Sequence, residues 1–372
     1  MIKSFLKDLE SHFKSHLHRL TTQRFERSLK WRSGPRSLAL HPEEVVVVCL
    51  IRDGSRYLAE FLRHHRDMGI ERFVFLDNDS KDGTPDLLAG QPGVSVFHSK
   101  MPYRSCKIAA KQFLTQNFGR SNWVLLLDID EFFQFPFCEG MTLKNFVRYL
   151  NRNDYSAVVT QMLDMFPSGP IDALNKAPGN NCANLLHCSV QNSFLNEHRY
   201  FSLAGLHPVA YADSICNRSA NLVDCDTLTA MFGGIRYRKF ETNVFLTKHP
   251  LIFPAKGAKL QNCHLVKHAR LANLSGVLLH YKFTEGFREY VAEIVAEGSF
   301  HKGSAEYKSY KRILSENREF TFCDETSRTY SSTNQLIDHG FITVSDRFRE
   351  YSRNLVESEF KLSETQVGRS AA

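Results

Sequence analysis

A chain of 372 residues with 42% apolar side chains can fold as one large domain or two smaller ones around a sizeable core. Its net charge of +7 suits phosphates, anionic small molecules or a membrane surface, and no long Lys/Arg tract with interleaved aromatics points to nucleic acid. Nine cysteines, an odd count without a C-x-x-C pair, argue against a disulfide framework or a zinc ribbon and for a reducing compartment.

Residues 1–33 form a segment of their own. Ile2, Leu6, Leu9, Phe13, Leu17 and Leu20 recur at helical spacing, opposite a mostly basic face of Lys3, Lys7, Lys14, Arg19, Arg24, Arg27, Lys30 and Arg32. Such a helix either packs on its own domain or lies on an anionic membrane. His12 and His16 share the i, i+4 spacing of a metal pair, but a solvated basic face explains them better. Ser33-Gly34-Pro35 breaks the segment. The N-terminus has no signal-peptide pattern, and Val45–Ile51, the longest apolar run, is too short to cross a bilayer. The expected location is therefore cytoplasmic, peripheral on the inner membrane face if the helix binds lipid. The Asn-x-Ser triplets at Asn217 and Asn273 are then chance matches.

From residue 45 strands and helices alternate. Strands are expected at Val45–Ile51, Arg72–Asp77, Val94–His98 and Trp123–Leu127, and helices at Arg56–Met68, from Pro85, and at Ser105–Phe118. This order implies an open, mostly parallel α/β sheet flanked by helices, with ligands beyond the carboxyl ends of the strands. Further on, Leu143–Leu150, Phe287–Glu297 and Tyr307–Leu314 read as helix, Ala157–Leu163 and Val277–Phe283 as strand, and 167–230 as loop-rich. The expected domain limits are 1–40, 41–320 and 321–372, with the middle part divided into 41–136 and 137–320.

The fourth strand ends in Asp128-Ile129-Asp130-Glu131. If it runs on through Asp130, side-chain alternation places Asp128 and Asp130 on one side. Paired carboxylates at the end of an apolar strand suit a hard cation such as Mg²⁺ or Mn²⁺, or simply make an acidic loop in water. The turn Asp77-Asn78-Asp79-Ser80-Lys81-Asp82-Gly83-Thr84 offers acceptors for a nucleobase or ribose, or ordinary turn and cap chemistry. Arg52 either faces a phosphate or is a surface arginine. Lys107 and Lys111 either reach a diphosphate or line a solvated helix face. His280, in an apolar stretch, is a satisfied core histidine unless the fold returns it to the crevice; His264 and His268 are weaker cases. No Walker loop, nucleophile elbow, H-E-x-x-H or G-x-G-x-x-G occurs.

Read in order, Arg52-Asp53-Gly54, Tyr57-Leu58-Ala59-Glu60-Phe61-Leu62-Arg63-His64-His65, the 77–84 turn and Trp123–Phe133 resemble bacterial family 2-like glycosyltransferases of the GT-A fold. The resemblance continues in Gly233–Arg238, Leu246–Leu251 and Leu278–Phe283 and covers roughly residues 45–315. It implies a nucleotide-sugar donor, a glycan or lipid-linked acceptor, cell-surface polysaccharide synthesis and Mn²⁺ or Mg²⁺ held by Asp128 and Asp130, with His280 nearby. It also implies base and ribose contacts from Asp77 with Asn78 or Asp79, and inversion at the anomeric carbon. Asp164 is then the first candidate for general base, followed by Glu131 and Glu241. Asp53-Gly54 stands where other members carry Asn-Glu. A non-catalytic binding protein on the same scaffold is the alternative reading; a nucleotidyltransferase would need a Gly-rich basic loop after the first strand, which is missing.

Overall fold

The computed structural model describes residues 16, 19–38, 40–172, 194–211, 216, 218–298 and 301–357. The expected apolar face from Ile2 to Leu17, His12, the centre of the loop-rich stretch and the last dozen residues lie outside them. Leu20, expected on the buried face, is exposed; Phe25 is the buried anchor of this segment, its ring 5.9 Å from Phe113.

Ten strands form one sheet. They are β1 (Lys30–Ser33), β2 (Val45–Ile51), β3 (Arg72–Asp77), β4 (Val94–His98), β5 (Trp123–Leu127), β6 (Glu131–Gln134), β7 (Ala157–Asp164), β10 (Leu222–Val223), β12 (Thr247–Ile252) and β15 (Arg270–His280). Among the short strands, β8 (Tyr200–Phe201) pairs with β16 (Arg328–Thr329), β9 (Leu206–Ala210) with β11 (Thr229–Gly233), and β13 (Lys259–Leu260) with β14 (Val266–Lys267). The order across the sheet is β1-β4-β3-β2-β5-β12-β7-β15-β10, with β6 also on β15. β1, β6 and β12 run against the other seven strands.

Strand β2 explains the layering. All seven of its residues are buried, as expected of a strand covered on both faces. Val45, Val47, Cys49 and Ile51 join one core, and Val46, Val48 and Leu50 the other. Helix α1 (Ser55–Asp67) covers the first face with Leu58, Phe61 and Leu62. After α2 (Thr84–Leu88), helix α3 (Tyr103–Phe118) covers the second with Cys106, Ala109, Ala110 and Leu114. The sequence order β2-β3-β4 grows to one side of β2, and β5 then returns to the other. A ligand crevice is expected at that reversal, beyond the carboxyl ends of β2 and β5.

The second half is built differently. Helices α4 (Leu143–Arg152), α5 (Phe194–Glu197) and α6 (Ile235–Phe240) connect strands. Helices α7 (Phe287–Glu297) and α8 (His301–Glu316) enclose a separate aromatic core of Phe166, Phe240, Phe283, Phe287, Tyr307, Tyr310, Phe320 and Phe322. Beyond α9 (Thr333–Asp338), Phe341, Ile342 and Phe348 return to the first core, so residues 321–357 pack as part of the main body. Likewise β1, within the expected N-terminal segment, is an edge strand of the sheet. Asn273 is buried, and its side-chain oxygen accepts a hydrogen bond from the Tyr149 hydroxyl at 2.9 Å.

Candidate active site

The fourth strand ends at Leu127, as its apolar run implies, and does not continue through Asp130. The Glu131 N–H bonds the Asp128 carbonyl at 3.1 Å, and the Asp128 N–H bonds the Glu131 carboxylate at 3.1 Å. These contacts close a tight turn, after which the chain pairs as β6. Strand alternation therefore does not govern Asp128 and Asp130. Each has its own partners.

Asp128 faces two lysines. Nζ of Lys111 lies 3.0 Å from one carboxylate oxygen and Nζ of Lys248 3.2 Å from the other. Lys248 also pairs with Glu131. Burial alone would push the Asp128 carboxyl up, but the two ammonium groups outweigh it and hold Asp128 well below the usual carboxylate range. Glu131 goes the other way: deep burial raises it, and Lys248 offsets this only in part. Lys111 comes from α3, covering β2 and β5. Lys248 is brought in by β12, which runs antiparallel between β5 and β7 and so starts where they end. Lys107, one turn before Lys111, has its ammonium 5.9 Å from the Tyr103 ring.

Asp130 faces a histidine. Nε2 of His280 is 3.3 Å from its carboxylate, and Nδ1 of His280 is 2.5 Å from Asp164. Register makes this possible, because His280 of β15 pairs with Asp164 of β7 on one side and with Glu131 of β6 on the other. Arg236 closes the group with a fork on Asp164, Nε and Nη2 each at 2.7 Å, and Nη2 lies 3.1 Å from Nδ1 of His280. Burial opposes charge on His280, but Asp130 and Asp164 outweigh it and raise its pKa. Asp164 falls well below its ordinary value, since Arg236 and His280 outweigh its burial. The Gly233-Gly234 turn delivers Arg236. Gly234 has φ +66° and ψ −148°, a region open essentially to glycine, and a Cβ on Gly233 would stand 2.4 Å from the Gly205 carbonyl oxygen.

The 77–84 turn is mostly structural in its contacts. The Asn78 amide donates to the carbonyls of Ser99 at 2.8 Å and Met101 at 2.7 Å. Asp82 accepts from the N–H groups of Ser55 and Thr84, both at 3.0 Å, and so caps α1 from another segment. Asp77 is buried and accepts from the Ser80 N–H at 3.2 Å. Asp79, half-buried with φ +60°, bonds Lys81 at 2.8 Å and lies 3.4 Å from His98. Arg52 is exposed, its Nε 3.6 Å from Asp53. A Cβ on Gly54 would meet Ile51 at 2.7 Å and Ile129 at 3.3 Å, so this chain's packing suits the departure from Asn-Glu. His264 is half-buried and pushed down to about 3 by burial, while His268 is exposed.

The structure thus brings Lys111, Asp128, Asp130, Glu131, Asp164 and His280 to one corner and leaves Arg52 and Asp79 at the more exposed carboxyl ends of β2 and β3. Lys248 and Arg236 complete the corner; their segments carry the family resemblance, but nothing local in them marks a role. Asp164 has both oxygens in the arginine fork, a geometry that suits it to holding His280 and argues against its taking a proton from an acceptor. Glu131 is committed to Lys248 and the Asp128 N–H, which argues against it as well.

Asp130 and His280 fit a hard cation. His280 presents Nε2 to the carboxylate while a second carboxylate fixes Nδ1, the arrangement usual for a ligating histidine. Asp128 fits less well, since both its oxygens are engaged by lysines. No group of three or more His, Cys, Asp or Glu side chains with metal-ligand geometry occurs among the described residues.

Three curated plant proteins are similar to part of this chain, all named glycosyltransferase family 92 proteins. One from Ricinus communis is 26% identical over 117 residues, 29% of this chain and 20% of that protein. One from Arabidopsis thaliana is 27% identical over 122 residues, 30% of this chain and 20% of its own length. One from Oryza sativa subsp. japonica is 29% identical over 105 residues, 27% of this chain and 18% of its own length. The chain thus spans about a fifth of the curated relatives it matches. These relatives carry the name of family 92, not the bacterial family 2 of the resemblance. No family model matches the chain. Among solved structures, HddC from Yersinia pseudotuberculosis aligns at 11% identity over 35% of this chain and 61% of that one, with a TM-score of 0.23, too low to carry an argument.

Proposed function

We propose that this chain is a metal-dependent glycosyltransferase of GT-A type that moves a sugar from a nucleotide-sugar donor to a glycan or lipid-linked acceptor with inversion. The observation that carries the proposal is the corner at the topological reversal, where a lysine pair and an Asp130–His280 pair stand side by side. The three family 92 relatives support the reaction class. Lys111 and Lys248, with Lys107 on the same helix face, would hold the donor diphosphate, and Asp77 with Asp79 would meet the nucleoside. Asp130 and His280 would hold Mn²⁺ or Mg²⁺. A bound cation would supply charge neutralisation for the departing diphosphate. Asp164 and Arg236 fix the ring of His280 so that Nε2 keeps its direction.

The basic N-terminal segment supports a peripheral membrane location on the cytoplasmic face. Arg19, Arg24, Arg27, Lys30, Arg32 and Arg36 are exposed around Trp31, with Glu26 the one acid between residues 19 and 38. Such a surface attracts anionic headgroups. No described helix is long and apolar enough to cross a membrane. Cell-surface polysaccharide synthesis is the process this placement favours.

The test is nucleotide release from UDP-glucose, UDP-galactose, UDP-N-acetylglucosamine, GDP-mannose and CMP-sialic acid with Mn²⁺. Release that needs the metal and is lost in Asp130→Ala is expected. Tight nucleotide binding with no turnover on any donor would favour a non-catalytic binding protein.

A further inference from the structure

The aromatic core of the second half presents an acid that the corner described so far leaves unused. Glu306 of α8 has a side chain 30% exposed and three cationic or hydroxyl partners. All of them meet one oxygen. Oε1 is 3.3 Å from Nζ of Lys282 and 3.7 Å from Nη1 of Arg236, and it accepts from the Tyr310 hydroxyl. No hydrogen bond or ion pair engages Oε2 among the described residues. Three contacts anchor Oε1, while the side chain as a whole stays 30% exposed.

Its position is equally specific. The guanidinium of Arg236 touches Glu306 through Nη1 and His280 through Nη2, so Glu306 stands one side chain away from the histidine that faces Asp130. On the same rim Tyr290 of α7 is exposed, its ring 5.9 Å from that of Tyr307, a face on which a sugar can stack. The rival acids are committed elsewhere: Asp164 to Arg236 and His280, and Glu131 to Lys248 and a backbone N–H. Glu241 is 79% exposed and faces Arg312.

We infer that Glu306 is the general base of the transfer, taking the acceptor hydroxyl proton on Oε2, an inference that rests on the glycosyltransferase reading above. As the acceptor oxygen bonds to the anomeric carbon, its proton passes to Oε2. The bond from that carbon to the donor phosphate oxygen breaks, and its electron pair leaves with the nucleoside diphosphate. Lys282 and Arg236 keep Glu306 ionised before the step. The proton moves as the attacking hydroxyl acidifies, which is how a carboxylate serves as base toward an alcohol.

The test uses the full chain, the same donor panel with Mn²⁺, and either water or sodium azide as nucleophile. Azide carries no proton to remove. Glu306→Ala is expected to slow release with water by about 100-fold, the lower end of what general-base catalysis contributes. Azide should return the rate to near the wild-type value and yield a glycosyl azide. Glu306→Gln, which keeps the shape around Tyr310 and Lys282, should show the same loss with water and guards against misfolding of the alanine variant. Unchanged release with water in both variants overturns the inference alone, as does a loss that azide does not restore while UDP or GDP still raises the melting temperature. Absence of release from every donor by the wild-type protein removes the parent reading and this one together.

Discussion

Two residues apart in sequence, Asp128 and Asp130 sit in opposite surroundings. Asp128 is held by two ammonium groups, one on α3 and one on β12. Asp130 faces an imidazole backed by a carboxylate and a guanidinium. The lysine corner gathers two buried positive charges around one carboxylate, a setting suited to a ligand that brings negative charge. The histidine corner is a fixed stack in which each charge is neutralised by the next. The difference teaches that an Asp-x-Asp pair need not act as one unit: one member sits between two ammonium groups, and the other faces an imidazole.

The sharpest way to break the comparison is to remove the guanidinium. Arg236→Met leaves Asp164 buried and charged beside His280, and loss of one partner from such a pair costs about 3–5 kcal/mol. Lys111→Met leaves Asp128 one-third exposed and still paired with Lys248, and the expected cost is about 1 kcal/mol or less. Urea denaturation of the two variants checks this; equal losses would show that the corners are equally fixed.

Ligand responses should separate the corners next. With nucleotide at about 100 times its dissociation constant, binding stabilises the folded state by about 2.7 kcal/mol. Lys111→Met combined with Lys248→Met should abolish the rise in melting temperature with UDP or GDP. Asp130→Asn should abolish the rise given by Mn²⁺ alone, and Asp128→Asn should retain most of it. A Mn²⁺ response that depends on Asp128 and survives Asp130→Asn would reverse the assignment.

A buried histidine away from the corner gives a smaller, pH-dependent effect. His249 accepts the Val266 N–H at Nδ1 and meets the Tyr211 hydroxyl at Nε2, 2.7 Å away. Burial pushes its pKa down to about 3, so the folded protein binds fewer protons here than the unfolded chain between pH 6.5 and 3. Stability should fall as pH drops through that window, by at most about 1.4 kcal/mol per pH unit from this group. His249→Phe should flatten part of the slope between pH 6 and 4.5 in chemical denaturation. An unchanged slope would place the proton uptake on other histidines.

The smallest expected effect is at Tyr57, whose hydroxyl donates to the Tyr281 carbonyl at 3.1 Å, next to the turn that carries Asp130. Tyr57→Phe should cost about 1 kcal/mol of stability, the worth of one hydrogen bond. Donor turnover should change less than in Asp130→Asn. A larger loss of turnover than of stability would make Tyr57 a positioning residue for the histidine corner.

The first half was legible because its signals are local. Val45–Ile51, Arg72–Asp77, Val94–His98 and Trp123–Leu127 are strands over the ranges read from β-branched and apolar runs. Glycine and polar turns separate them. The tight turn after Leu127 was not legible, because it is closed by a backbone bond and a glutamate contact that propensity does not reveal. The corner itself was half legible. Asp128, Asp130 and His280 stand out as acids or a histidine in apolar stretches. Lys248 and Arg236 do not, because their partners lie 120 and 72 residues away and only the sheet order brings them together. Glu306 carried no signal at all: on an ordinary amphipathic helix, a glutamate beside tyrosines reads as surface.

The zero stagger at the tips of β6, β7 and β15 has a consequence for how the chain tolerates change. Glu131, His280 and Asp164 lie abreast, so the charge complement of the corner is tied to strand alignment. Loops between these strands can lengthen without disturbing it. Deleting a single residue inside β15 ahead of His280 would rotate the imidazole to the opposite side of the sheet, away from both carboxylates, and bring Tyr281 among the acids. Electrical mismatch would then act as a proofreader of pairing, penalising a slipped alignment that hydrophobic contacts alone would accept.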